Sequence, residues 1–188
     1  MSELKIDDFV VKINNMEKNL KDLSPVMKKI SIDMKSQTKL NFRKQQTPQG
    51  KSWKKSNRGG QTLRKTSALM HSIASGYGDN FAVVGTNKIY ARIHQNGGVI
   101  KPKRGKYLTI PISPGAKRRS AREFDDLFTL RIDSGLYLVR NKGKDEIEFM
   151  YKLVKSVVIP KRSYIGVNRK MKKRYEKWLQ EYTVSDKL

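Results

Sequence analysis

Apolar residues recur every three or four positions near the start of the chain, at Ile6, Phe9, Val10, Ile13, Met16 and Leu20. Lysines and asparagines fill much of the opposite face, which is the pattern of an amphipathic helix. Ser24 followed by Pro25 is typical of an N-cap and the first position of a second helix, which extends to about Lys44. The pattern therefore predicts an N-terminal helical pair over residues 1–44.

The pattern changes abruptly after this pair, because residues 45–66 are polar and rich in turn-forming residues. We interpret this stretch as a long flexible loop. Trp53 is its one large side chain and the expected anchor of the loop.

Three short elements are predicted before the chain becomes rich in strands. They are a short helix capped by Thr66 or Ser67 that runs through Ile73 and ends at Gly76 and Gly78, a strand over 81–85, and a helical turn over 88–95. Gly97 and Gly98 stop that turn, because glycine accepts positive φ without a steric penalty.

Strand-like patterns dominate residues 101–157, which we interpret as a strand-rich hairpin region. Apolar runs or alternations cover 107–112, 127–132, 136–140 and 147–158, and residues 133–135 form a hairpin turn. Helical spacing returns over 168–183 and predicts a C-terminal helix. The fold class is therefore α+β: an antiparallel β-sheet of about four to six strands, flanked by the N-terminal helices and the C-terminal helix, in a single domain over 1–188.

Charge narrows the choice of partners. The formal net charge is +24, and from Lys35 to Arg119 the chain carries one acid, Asp79. Such a field favours polyanions or a complementary acidic protein face. The alternative is that the charge only keeps the protein soluble, although a net charge of about 2–8 is usually enough for that.

Candidate chemistry is sparse. The chain has no cysteine and two histidines, His71 and His94, with Asp79 the one acid near them in sequence. We therefore expect no metal, no cofactor and no catalysis. Zinc-finger, heptad-zipper and RRM patterns are missing, so any nucleic-acid contact is expected to be non-specific. Neither a signal-peptide pattern nor a membrane span is predicted, which favours the cytoplasm as the compartment of synthesis.

One ordered set of short motifs carries more information. It consists of Phe42-Arg43, Thr47 to Trp53, Leu63 to Leu69, Ser72-Ile73, Val84-Gly85-Thr86, Tyr90 to Gly98 and Ile159 to Gly166. This order resembles the phage virion morphogenesis proteins of the Mu type, which overlap with the tail-completion proteins. Two positions depart from the family pattern, since Ser67 stands where the family often has glycine and Lys161 where it often has alanine.

The resemblance implies a structural part of the phage tail or neck, assembled in the host cytoplasm. It implies a homo-oligomeric ring, most simply a hexamer, that contacts tail-tube and head-tail connector proteins, with phage DNA nearby and no membrane. It also implies structural roles for the motif residues Trp53, Leu69, Gly85, Tyr90, His94, Gly97, Gly98, Pro160 and Tyr164.

The residues themselves suggest which surface meets the partner. Seven basic residues flank a predicted strand and lie in predicted loops, where binding groups are common. This basic cluster comprises Lys101, Lys103, Arg104, Lys106, Lys117, Arg118 and Arg119. It is expected to face DNA or a partner, or else to be a solvated loop surface. The alternative function is a non-specific nucleic-acid-binding protein that acts through its basic surface.

Overall fold

Helices and antiparallel strands make up the computed structural model, which describes residues 6–56, 59–143 and 146–185, with side chains from residue 10 onward. In chain order the elements are α1 (Ile6–Lys21), α2 (Ser24–Lys44), α3 (Ala68–His71), β1 (Ala74–Tyr77), β2 (Ala82–Gly85), α4 (Ala91–Asn96), β3 (Gly98–Ile100), β4 (Leu108–Pro111), β5 (Phe128–Ile132), β6 (Gly135–Asn141), β7 (Ile147–Val154), β8 (Val157–Ile159) and α5 (Arg169–Val184). Two 3-10 turns, Pro114–Ala116 and Ala121–Glu123, lie between β4 and β5. The predicted α+β class is confirmed.

The chain divides into two compact units, each described by itself below. The first combines residues 1–97 with 160–188, and the second spans residues 98–159. The single domain predicted from the sequence stays a prediction.

Packing of α2 against α5 forms one core of the first unit. Val26 and Ile30 of α2 are buried together with Met171 and Tyr175 of α5. The helical spacing of the C-terminal residues predicted this apolar face of α5. Asn168 caps the helix, because its side-chain oxygen accepts the N–H of Met171 at 2.9 Å.

The start of α2 differs from the prediction. Ser24 is the first helical residue and Leu23 precedes the helix, so Ser24 is not the N-cap. Its N–H donates to the Asp22 carboxylate at 2.8 Å, and its hydroxyl donates to Asp79 at 2.9 Å. The carboxylate two residues earlier therefore takes the role assigned to the serine hydroxyl, while Pro25 still lies in the first turn.

The short helix predicted to run through Ile73 ends earlier, at His71. Residues 74–77 instead form β1, which pairs antiparallel with β2 from Ala74–Gly85 to Tyr77–Ala82. Strand pairing overrides the local helical signal, and Gly76 lies inside a strand rather than at a helix end. The predicted strand over 81–85 is confirmed as β2.

The second unit contains a four-stranded antiparallel sheet in the order β4-β7-β6-β5 and a two-stranded ribbon of β3 and β8. The segment that contains the two 3-10 turns covers one face of the larger sheet, where Ala116, Met150 and Tyr151 are buried. The predicted hairpin of β5 and β6 is present. The apolar run over 147–158 forms two strands, because β7 joins the large sheet and β8 pairs with β3.

Candidate functional site

Three aromatic residues from separate motifs meet in the core of the first unit. The rings of Phe42 and Trp53 lie edge to face with centroids 5.6 Å apart, and the ring of Tyr164 lies 4.7 Å from that of Phe42. All three side chains are buried, together with Leu69 and others. Edge-to-face and tilted aromatic pairs stabilise a core beyond the area they bury. Trp53, Leu69 and Tyr164 are therefore packing residues.

The segment after residue 160 is attached to α4 through Gln95. The side-chain oxygen of Gln95 accepts the N–H groups of Tyr164 and Ile165 at 2.9 and 3.1 Å. Its amide nitrogen donates to the Ile165 carbonyl at 2.8 Å. The backbone N–H of Arg162 donates to the His94 carbonyl at 2.8 Å. The motif over 90–98 and the motif over 159–166 thus form one hydrogen-bonded assembly.

Burial also sets the electrostatics of Tyr164. Its hydroxyl donates to the Ala91 carbonyl at 3.0 Å inside the core. Burial, and secondarily the nearby Tyr90, raises the pKa of Tyr164 to about 12. This phenol is held neutral, which suits a structural donor.

The stretch predicted as a flexible loop is attached to the same assembly. The indole N–H of Trp53 donates to the Ser163 carbonyl at 2.9 Å, which confirms Trp53 as its anchor. The buried Arg162 guanidinium donates to the carbonyls of Lys54 and Lys55 at 2.8 and 3.3 Å. The described part of the stretch contains one isolated bridge, between Gln46 and Ser52. Its flexibility stays a prediction.

Backbone geometry explains the motif glycines that follow α4. Gly97 has φ 73° and Gly98 has φ 148°, so both occupy the region that favours glycine. As predicted, the helical segment stops at these glycines, since α4 ends at Asn96 and β3 begins at Gly98. Gly85 ends β2, and Pro160 directly follows β8.

A shallow pocket of about 220 Å³ opens beside this assembly. Its lining includes Leu69, Tyr90 and His94 from the motifs, together with Lys65 and Arg162. The ring of Tyr90 is partly exposed and stands edge to face on His94, with centroids 6.1 Å apart. No acid is among the described residues that line it. Of its two basic lining residues, Lys65 is exposed and Arg162 donates to the Lys54 and Lys55 carbonyls.

The predicted basic cluster lies in the second unit and is exposed throughout. Lys101, Lys103, Arg104 and Lys106 belong to the connection between β3 and β4, and the other three, Lys117, Arg118 and Arg119, lie between the two 3-10 turns. The two runs therefore precede and follow β4, an edge strand of the four-stranded sheet. Their role as a DNA-facing or partner-facing surface stays a prediction.

Arg119 differs from the rest of this cluster because it has partners within its own unit. Its guanidinium carbon lies 4.0 Å from the centre of the Phe124 ring and its Nε lies 3.6 Å from the Glu123 carboxylate. Its backbone carbonyl accepts the Tyr151 hydroxyl at 2.9 Å. Within the described residues, none of the other six forms an ion pair, so they carry most of the uncompensated charge of this cluster.

Within residues 6–56, 59–143 and 146–185, no group of three or more histidine, aspartate and glutamate side chains is placed to hold a metal ion. Of the helices that the structure describes, none has the length and apolar character to cross a membrane.

Comparison with known proteins identifies the class of protein. The model of the phage virion morphogenesis family matches residues 5–183, and the chain belongs to that family. The resemblance inferred from the motif order is thereby confirmed. Over 92 residues the chain is 44% identical to the Mu-like prophage FluMu G protein 2 of Haemophilus influenzae, a match that covers 48% of this chain and 63% of that protein. The chain thus spans less than two thirds of that relative's length, and no solved structure matches.

Sequence reasoning missed the two polar side chains that hold the motif segments together. Gln95 and Arg162 lie inside the motifs, but a glutamine and an arginine usually indicate surface positions. Gln95 lies two residues before Gly97, and Arg162 lies two residues after Pro160. These neighbours were the signal available in the sequence. The structure shows that their roles are hydrogen bonds to backbone groups of distant segments.

Proposed function

We propose that this chain is a structural virion subunit that acts in tail completion or head-tail joining, without catalysis. The observation that carries the proposal is the family match over residues 5–183. The Mu-like G protein relative, 44% identical over 92 residues, supports the same class. In this proposal the chain forms a ring, most simply a hexamer, in the tail or neck of the virion after assembly in the host cytoplasm.

The location of the motif residues supports a structural role. Phe42, Trp53 and Tyr164 form a packed core, and Gln95 and Arg162 hold backbone segments. The motifs thus preserve a rigid scaffold. A rigid scaffold is what a ring subunit needs in order to present the same surfaces to each neighbour.

Charge supports the nature of the partners. Six exposed cations that form no ion pair among the described residues, on both sides of β4, suit the acidic surface of a tail-tube or connector protein. The same surface suits the phosphates of DNA that passes through a ring.

Negative-stain electron microscopy of the purified chain, alone and after mixing with phage tails, tests the proposal. We expect closed rings, and a ring-sized cap at one end of the tails. A chain that is strictly monomeric and never joins tails or connectors would overturn it.

The second candidate is a free non-specific nucleic-acid-binding protein. The net charge of +24 and the single acid between Lys35 and Arg119 favour it. A salt titration of duplex DNA binding separates the two candidates. A free binder shows tight binding with a steep salt slope as a monomer, whereas a ring subunit binds weakly until it assembles.

A further inference from the structure

Helix α1 lies with its apolar stripe turned outward. The α1 stripe consists of Val10, Ile13, Met16 and Leu20, which are 50%, 48%, 37% and 58% exposed. Asn19, which lies about 100° around the helix from the centre of the stripe, is 8% exposed, and its amide donates to the carbonyls of Tyr182 and Ser185 at 3.0 Å each. The helix is therefore attached to the C-terminal region of the first unit by its polar side.

This arrangement inverts the usual one. A surface helix of a globular protein normally turns its apolar stripe to the core and its polar face to water. Among the described residues, none of the three buried apolar clusters contains a side chain of α1. A contiguous exposed apolar patch of this kind marks an interaction site.

The spacing of the stripe indicates what covers it. Apart from Val10 and Val11, the apolar residues of the α1 sequence lie at positions 6, 9, 13, 16 and 20, with steps of three, four, three and four. These steps match the a and d positions of a heptad repeat, in which one helix packs against another through a narrow seam. In this register Ile13 and Leu20 are a positions and Met16 is a d position. The seam is shorter than the three to four heptads that reveal a coiled coil from sequence alone, so exposure supplies the second line of evidence.

Charge at the flanking positions favours a second copy of this chain as the partner. In this register Lys12 occupies a g position and Glu17 the following e position. In a parallel pair, a g residue meets the e residue five positions later on the other helix, so Lys12 of each copy meets Glu17 of the other. In the single chain Glu17 pairs with Lys21 at 2.8 Å, and both side chains are mostly exposed. An exposed pair of this kind is weak, so Glu17 can leave Lys21 and pair with Lys12 of a second copy. The seam itself carries no cation for a nucleic-acid phosphate and none for an acidic protein.

We propose that α1 binds α1 of a second copy of this chain in parallel, through Ile13, Met16 and Leu20. A helix of 16 residues holds such a pair weakly by itself. The contact is isologous, because residue 16 of each copy meets residue 16 of the other, so it joins two chains about a two-fold axis and goes beyond the head-to-tail contacts of the proposed ring.

Cysteine cross-linking tests this directly, because the chain has no cysteine of its own. In a parallel pair residue 16 faces its own counterpart, so the full-length M16C variant forms a disulfide-linked dimer under mild oxidation. V11C is the matched control, since Val11 is 56% exposed but lies off the seam. We expect at least about tenfold more dimer from M16C than from V11C at equal times, because disulfides form only between closely apposed residues.

Equal cross-linking of the two variants would overturn the proposal. Dimer formed only when I13C and M16C are mixed would also overturn it, since position 13 faces position 16 in an antiparallel pair. Light scattering on the wild-type chain separates this inference from the proposed function. A ring without M16C cross-linking overturns the α1 contact alone, whereas M16C cross-linking without a ring overturns the proposed ring alone.

Discussion

The side-chain oxygen of Gln95 accepts the backbone N–H groups of Tyr164 and Ile165, and this one residue joins α4 to the segment over 160–166. The two segments are about 70 residues apart in sequence. Gln95 therefore forms this long-range connection together with the hydrogen bonds from the Arg162 N–H to the His94 carbonyl and from the Tyr164 hydroxyl to the Ala91 carbonyl.

Replacement of Gln95 by leucine leaves these two N–H groups without an acceptor. Each unsatisfied, part-buried donor costs about 1–3 kcal/mol, so we expect Q95L to lower the free energy of unfolding by about 2–4 kcal/mol. Urea unfolding monitored by tryptophan fluorescence measures the difference. The control is Q49L at an exposed glutamine, which should change stability by less than about 0.5 kcal/mol. Equal effects of the two substitutions would contradict this role of Gln95.

Ser67 precedes α3 with φ 55°, in the left-handed region that disfavours a side chain with a Cβ. Its hydroxyl makes no cap hydrogen bond to the helix. We therefore expect S67G to raise the free energy of unfolding by up to about 1 kcal/mol, because glycine removes the Cβ clash. S67A keeps the Cβ and should bring no gain. Thermal unfolding of the wild type and the two variants measures these differences in stability. If S67A were stabilised as much as S67G, backbone strain would be excluded as the source of the stabilisation.

Tyr164 makes stability depend on alkaline pH. Its pKa is raised from 10.0 to about 12 in the folded chain, so between these values the unfolded chain releases a proton that the folded chain retains. The stabilisation linked to this phenol is complete below about pH 10 and is lost as the pH rises towards 12. We expect Y164F to be less stable at pH 7, because the Ala91 carbonyl loses its donor, but to lose less stability between pH 10 and 12.

Urea unfolding of the wild type and Y164F at several pH values measures that difference. Every other titratable group is the same in both chains, so the difference between the two curves isolates Tyr164. Parallel curves would show that the phenol is not held neutral by the fold.

Charge reversal tests the basic cluster. The variant K103E/R104E/R118E removes exposed cations on both sides of β4, and R169E/K170E/K173E changes the same charge on exposed residues at the start of α5. We expect the first variant to fold normally, by circular dichroism, and to abolish infective particles in a complementation assay. The second should retain most of the titre. Similar titres for both variants would show that the cluster is an ordinary solvated surface.

Periodicity predicted most elements, because the pattern of apolar positions is a local property of the chain. It located α1, α2, α5 and the β5-β6 hairpin within a few residues. It extended α3 to Ile73, because residues 74–77 instead pair with the next strand in the β1-β2 hairpin, and this pairing overrides the local helical signal. It also assigned the N-cap to Ser24, where Asp22 supplies the acceptor instead.

Two features of the site lie beyond such reasoning. The spacing of apolar residues shows that α1 has an apolar face, but it does not show which face contacts the rest of the first unit. The hydrogen bonds of Asn19 to the Tyr182 and Ser185 carbonyls show that the polar side makes this contact. The roles of Gln95 and Arg162 depend on backbone groups about 70 and 107 residues away. The order of the motifs was sufficient to identify the family, because the motif residues come from several segments that meet in one packed and hydrogen-bonded region.

The most direct test of the central claim is complementation with purified protein. Tails from a phage that lacks this gene are mixed with tail-free heads and the purified chain, and infective titre is measured. A structural tail-completion subunit should restore the titre in proportion to the added chain, with the chain retained in the resulting particles. A titre that does not change, or particles that become infective without retaining the chain, would contradict the account.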